Sequence, residues 1–253
     1  MTSLVDSERT CCVCGCTSTY QRIAGATTLG SPDLDTRPAA MMRSTLPLWV
    51  RRCPKCGYCA DEISVGPPVA GRIIRSDEYQ RQLHDPKYPA LANSFLCWAL
   101  VELSACGHVT LGVSGTDSTE EQPDLFPLAE TARVGRAAWA LIYAAWACDD
   151  SDAEVAAAEC RRNAAALLRD PDTDLFAFSS EPGMGEVILS DLLRRSQQFE
   201  QVGPVCEHAL RNAPGSVVAQ LLRFQVALAR RRDVARHTFA ELDEIAEREA
   251  PRE

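Results

Sequence analysis

No apolar run in the chain is long enough to span a bilayer. The longest uninterrupted one, residues 137–148, has twelve residues, against the ~20 that a spanning helix needs, so it is expected to be a buried helix and no membrane partner is expected. Aromatic residues make up only 6% of the 253 and histidines number four. None of the four precedes His84, which argues against a histidine-ligated catalytic metal in the N-terminal region. The first nine residues carry no basic segment followed by an apolar stretch, so no secretory signal is expected and the chain reads as cytoplasmic. Gly-x-Ser-x-Gly, a phosphate-binding glycine loop, a dinucleotide fingerprint and His-Glu-x-x-His are all missing. The sequence therefore predicts no catalytic residues and no enzyme.

Cysteine, by contrast, is abundant: seven of the twelve fall within the first 60 residues. Disulfides rarely persist in a cytoplasmic chain, so clustered thiols point to metal or redox chemistry. Charge is divided unevenly. Residues 1–60 carry seven Lys and Arg against four acids, for +3, and the remainder carries −12, giving −9 in all. A break of this size suggests two regions with different tasks. With 46% apolar and 24% charged residues, the whole is an ordinary globular composition.

Cys11-Cys12-Val13-Cys14-Gly15 and Cys53-Pro54-Lys55-Cys56-Gly57 both read Cys-x-x-Cys-Gly. Two thiolates with two residues between them reach one ion across a tight turn. The glycine takes the positive φ that turns backbone N–H groups toward the sulfurs. Two such knuckles supply four sulfurs, Cys11, Cys14, Cys53 and Cys56, which closes a tetrahedral structural Zn2+ site without room for substrate. The 38 residues between Cys14 and Cys53 are a long insert, tolerable because the cost of loop closure grows slowly with length. Cys12, Cys16 and Cys59 flank the knuckles without an assigned role. The same knuckles resemble those of rubredoxins, which makes iron and electron transfer the alternative. Between the knuckles, Asp33, Asp35 and Arg37 alternate in the loop Gly30-Ser31-Pro32-Asp33-Leu34-Asp35-Thr36-Arg37-Pro38. They read better as loop structure, with carboxylates capping N–H groups and Arg37 pairing with one of them, than as a cation site.

Short strands are expected over residues 20–27 and 46–52. From about residue 76 helices are expected over 76–84, 89–107, 129–148, 152–169, 184–196, 200–212, 216–231 and 234–249, with a flexible loop over 112–127. The fold class expected is α+β but mostly α: a zinc-ribbon module over 1–66 and a helical domain over 67–253. Phe199, Val202, Cys206, Ala209, Leu210 and Pro214, after Leu189, Leu192 and Leu193, are similar to the second half of a tetratricopeptide repeat (TPR), though the chain keeps no strict 34-residue period. Phe95, Trp98, Trp139, Trp146 and the scattered Cys97, Cys106, Cys148, Cys160 and Cys206 read as core.

The knuckles, the insert and the ending Trp49-Val-Arg-Arg-Cys-Pro-Lys-Cys-Gly-Tyr58 resemble a family of uncharacterised bacterial proteins. That family joins a split zinc ribbon to a TPR-like helical remainder. The resemblance implies a fold and a metal, and brings no catalytic residues. Together these features predict a non-enzymatic adaptor whose helical body binds a protein partner. Nucleic acid, held by Arg43, Arg51, Arg52 and Lys55 of the ribbon, is the less favoured partner because the −12 body repels polyanions.

Overall fold

A computed structural model describes residues 3–25, 27, 29–107, 127–169, 181–212 and 215–242. It is mostly helical with small antiparallel sheets toward the N-terminus. The elements are β1 (Ser3–Thr10), β2 (Thr17–Gly25), α1 (Ala40–Arg43), β3 (Arg51–Arg52), β4 (Cys59–Ala60), α2 (Ala70–Ile73), α3 (Asp77–Leu83), α4 (Ala90–Ala105), α5 (Pro127–Asp149), α6 (Glu154–Leu168), α7 (Met184–Arg195), α8 (Phe199–Arg211) and α9 (Ser216–Arg230). No described helix is long and apolar enough to cross a membrane. Seven of the eight expected helices form within two residues of their expected bounds. The expected loop over 112–127 lies outside the described residues up to 126.

Two compact units make up the chain, and both are discontinuous. One combines residues 1–4, 23–46 and 174–253, and the other combines 5–22 and 47–173. Compactness thus divides the chain differently from a boundary at residue 66: the insert between the knuckles belongs with the C-terminal helices, the knuckles with α2–α6.

The knuckle-bearing unit is built around α4, which is apolar on all faces and buried from Ala92 to Leu103. A helix of that character has to be covered all round, and α5, α3, β4 and α2 all pack against it. Trp49, just ahead of the second knuckle, meets Tyr143 edge-on at 5.1 Å and Trp146 at 6.2 Å between ring centroids, while Phe95 meets Tyr143 at 5.5 Å. These aromatic contacts fasten the segment before β3 to α5, and α5 to α4. Glu102, buried on α4, is neutralised by Arg133 at 3.0 Å and by Arg136 through two bonds of 3.1 Å. A buried carboxylate persists when paired in this way.

The other unit packs α7, α8 and α9 together. Leu189, Leu192, Leu193, Val202, Cys206 and Ala209 are all buried, whereas Leu210 is half-buried. Ser190 and Cys206 touch at 3.2 Å, two small side chains that bring α7 and α8 close. The insert lies on these helices. Leu34 is fully buried, as are Asp33, Asp35 and Arg37. Asp33 accepts two bonds from Arg43, at 2.9 and 3.0 Å, and Asp35 lies 3.5 Å from Arg195. As the capping reading expects, Asp35 Oδ1 accepts from the N–H of Arg37 at 3.2 Å. The segment is a loop, as expected, and it is also a buried part of a core.

That docking also explains the one misjudged helix. Residues 234–239 are not helical. Asp33 bridges Thr238, the Leu34 N–H donates to the His237 carbonyl at 2.9 Å, and the Phe239 N–H donates to the Pro32 carbonyl at 3.0 Å. The backbone groups that a helix would use are taken by the insert. Residues 243–249 of the expected helix lie outside the described residues. The strand expected over 46–52 shrinks to β3 behind a 3-10 turn at Leu46–Leu48, and β1 was not foreseen.

Candidate metal centre

The two knuckles are built alike. In the first, the Gly15 N–H donates to the Cys11 carbonyl at 2.9 Å and the Cys11 N–H to the Cys16 carbonyl at 2.9 Å. In the second, the Gly57 N–H donates to the Cys53 carbonyl at 2.9 Å and the Cys53 N–H to the Tyr58 carbonyl at 2.8 Å. Both turns close through a glycine at positive φ, 68° for Gly15 and 76° for Gly57. Gly57 is required twice over, because a Cβ there would also stand 2.7 Å from a Leu83 methyl.

The turns bring Cys11, Cys14, Cys53 and Cys56 together, with all four sulfurs within 4.8 Å of one another. Across the knuckles Cys11 and Cys56 are 3.7 Å apart and Cys14 and Cys53 are 3.6 Å apart. A tetrahedron of sulfurs around a ~2.3 Å metal–sulfur bond has edges of ~3.8 Å. The sulfurs therefore stand where a single ion would need them. Cys11 and Cys53 are buried and Cys14 and Cys56 half-buried. Desolvation raises the Cys11 and Cys56 thiols above their ordinary value. Burial acts on Cys53 as well, but the N–H groups of Cys56 and Lys55 outweigh it and lower that thiol to about 7.

Packing against helices holds the second knuckle in place. The Tyr79 hydroxyl on α3 donates to the Gly57 carbonyl at 2.9 Å and accepts from the Cys59 N–H at 3.0 Å. The first knuckle is fixed by the Cys12 N–H, which donates to the Ile63 carbonyl at 2.9 Å. Tyr20 of β2 donates from its hydroxyl to the Arg52 carbonyl at 3.1 Å, joining the hairpin to the second knuckle.

The flanking cysteines stay outside the group of four. Cys12 is exposed, Cys16 lies 3.7 Å from the Ser18 hydroxyl, and Cys59 is wholly buried with its thiol 3.3 Å from the Gly57 carbonyl. Cys97, Cys148, Cys160 and Cys206 are buried as expected of core residues, and Cys106 is half-buried. Of the four cations expected to face nucleic acid, two are engaged elsewhere. Arg43 holds Asp33, and Arg51 donates to the Asp61 carbonyl and lies 4.0 Å from Glu62. The tyrosines that clamp the centre, Tyr20 and Tyr79, escaped sequence reasoning, since neither lies in the motif.

No protein-family model matches the chain, and neither a curated protein nor a solved structure matches it significantly.

Proposed function

We propose that the protein is a zinc-binding, non-enzymatic adaptor, in which a structural four-cysteine zinc ribbon is coupled to a TPR-like helical body that binds a protein partner. The carrying observation is the convergence of Cys11, Cys14, Cys53 and Cys56 at tetrahedral spacing. Four thiolates fill the coordination of Zn2+, which suits a structural ion and leaves no open position for a reacting group. The TPR-like reading draws support from the burial of Leu189, Leu192, Leu193, Val202, Cys206 and Ala209 across α7 and α8. A groove of about 390 Å³, lined by Phe199, Gly203, Glu207, Val226, Ala229 and Arg230, runs between α8 and α9 and is a seat for a peptide segment.

Two measurements on the full chain test this. Elemental analysis of protein purified without added metal is expected to find one zinc per chain, and a red, iron-loaded protein would replace the structural reading with the rubredoxin-like one. Phe199→Ala with Glu207→Lys is expected to abolish co-purification of the native partner at unchanged metal content. Retention of that partner by the double variant would remove the groove from the proposal.

A further inference from the structure

The groove between α8 and α9 carries unpaired charges of opposite sign on its two walls. Where α9 ends, Arg232 stands 5.6 Å over the Phe199 ring and 3.4 Å from Glu200. The chain turns there through Arg232 at φ 54°. The Arg232 N–H donates to the Ala229 carbonyl at 2.9 Å and the Asp233 N–H to the Leu228 carbonyl at 3.1 Å. These bonds close the end of α9 and hold Arg232 at the mouth of the groove.

Glu200 and Arg232 engage each other. That leaves one lining acid, Glu207 on α8, and one lining cation, Arg230 on α9, without an ion pair among the described residues. Both are exposed. Arg230 lies at the Glu200 end, two residues before Arg232, whereas Glu207 stands seven residues further along α8, ~10 Å at 1.5 Å per residue. Arg211, Arg223 and Arg231 are exposed too but stand outside the lining, and Asp233 is turned to His237 at 3.0 Å. Between the two charges lies Gly203, half-buried, whose vacant Cβ position meets nothing within 4 Å. Val226 and Ala229 face the same space from α9.

We propose that this groove takes an extended peptide segment with an acidic residue against Arg230, a large apolar side chain in the space over Gly203, and a basic residue against Glu207. The inference rests on the peptide-binding reading of the groove and names the chemistry of the partner. A span of ~10 Å takes about three residues of extended chain at ~3.3 Å each, so the acid and the base lie three positions apart with the apolar residue between them. Side chains an odd number of positions apart point to opposite sides of an extended segment, which suits charges on opposite walls. Charge complementarity of this kind fixes register and selects the partner more than it adds affinity.

The test uses the full, metal-loaded chain and anisotropy of two fluorescein-labelled peptides, Gly-Gly-Asp-Gly-Leu-Lys-Gly-Gly and its reversed order, which covers both chain directions. At least one should bind at sub-millimolar protein, and its version with Asn and Gln for the charges should bind about 5-fold more weakly, as expected for two partly exposed ion pairs. Arg230→Glu should weaken the charged peptide at least ~10-fold, and a peptide with Lys in place of Asp should recover the loss, which a merely structural Arg230 would not allow. Gly203→Leu should abolish binding by filling the space, at unchanged circular dichroism and metal content, because leucine is the better helix former. Arg162→Glu, at an exposed cation on α6, should change nothing. The charge pairing is overturned if neither peptide binds, if the neutral version binds equally well, or if Arg230→Glu has no effect. The native partner separates this from the groove reading itself. With the charge pairing overturned, loss of that partner from Gly203→Leu keeps the groove as its seat, whereas its retention removes the groove as well. Self-association that Gly203→Leu dissolves would put a second copy of the chain there and overturn the peptide.

Discussion

At the residue scale, the cysteines of the centre were fully legible, because two identical Cys-x-x-Cys-Gly turns leave few other solutions for their sulfurs. The insert was legible only in part. Asp33, Asp35 and Arg37 alternate in a stretch rich in turn formers, a pattern that normally marks a solvated loop. Nothing local in the sequence reveals that Arg43 and Arg195, far apart along the chain, approach both carboxylates. The clue was Leu34, an aliphatic residue amid the charges, and it is completely buried. Leu34→Ala should cost about 2–4 kcal/mol, read as a lowered urea midpoint at unchanged metal content. A smaller loss than ~1 kcal/mol would mean that the insert is not part of that core.

His237 supplies a second test at this scale. Its Nδ1 lies 2.6 Å from Glu241 and its Nε2 lies 3.0 Å from Asp233. Burial alone would raise both carboxyls. For Asp233 the Ala235 N–H and His237 outweigh it, and for Glu241 His237 and the Thr238 N–H do so, and both end below the ordinary carboxylate range. A carboxylate whose folded value is depressed contributes stability that is fully present above its unfolded value, near 4, and is lost as pH falls through the folded one. Both side chains are about a third exposed, which limits the gain to about 1 kcal/mol or less. Stability lost between pH 5 and 3 should therefore be smaller in His237→Gln than in the parent, as followed by urea titration. Equal acid sensitivity would sink the assignment.

At the scale of elements, periodicity served where packing follows the helix and failed where tertiary contacts compete. The helices α3 to α9 were placed because their apolar spacing and breakers agree. β1, with sequence Ser-Leu-Val-Asp-Ser-Glu-Arg-Thr, is largely exposed and offers no alternation to detect. The helix expected over 234–249 had suitable composition, yet the insert claims its backbone N–H and carbonyl groups at 237–239. Propensity is a weak prior against such pairing. Trp49 decides how the knuckle strand meets α5, through its contacts with Tyr143 and Trp146. Full burial would make truncation cost ~3–5 kcal/mol, and since this ring is half-buried, Trp49→Ala should cost about 2–3 kcal/mol. The four sulfurs need no help from the indole to converge, so metal stoichiometry should hold while the midpoint falls. Loss of metal in parallel would make Trp49 part of the centre's own scaffold.

At the scale of the whole molecule, the chain path would make an ion held by the four sulfurs more than a local staple. The 38-residue insert leaves the knuckle-bearing unit after residue 22, runs through the other over 23–46, and returns from residue 47. An ion joining Cys14 to Cys53 therefore closes a loop whose middle, Asp33 to Arg37, is buried against the C-terminal helices. Closing a loop of this length restricts the unfolded chain by an amount worth ~3–4 kcal/mol. Part of that constraint acts on a unit containing none of the four cysteines. Chelation should accordingly speed amide exchange at Leu34 and Phe239, whose N–H groups are bonded between insert and C-terminal segment, as well as in the knuckles. Cys53→Ser should do the same without chelator, and re-adding Zn2+ should restore protection in the parent but not in the variant. If exchange at Leu34 and Phe239 stays unchanged while the knuckle amides lose protection, the insert docks independently of the ion and the metal organises only the module that binds it.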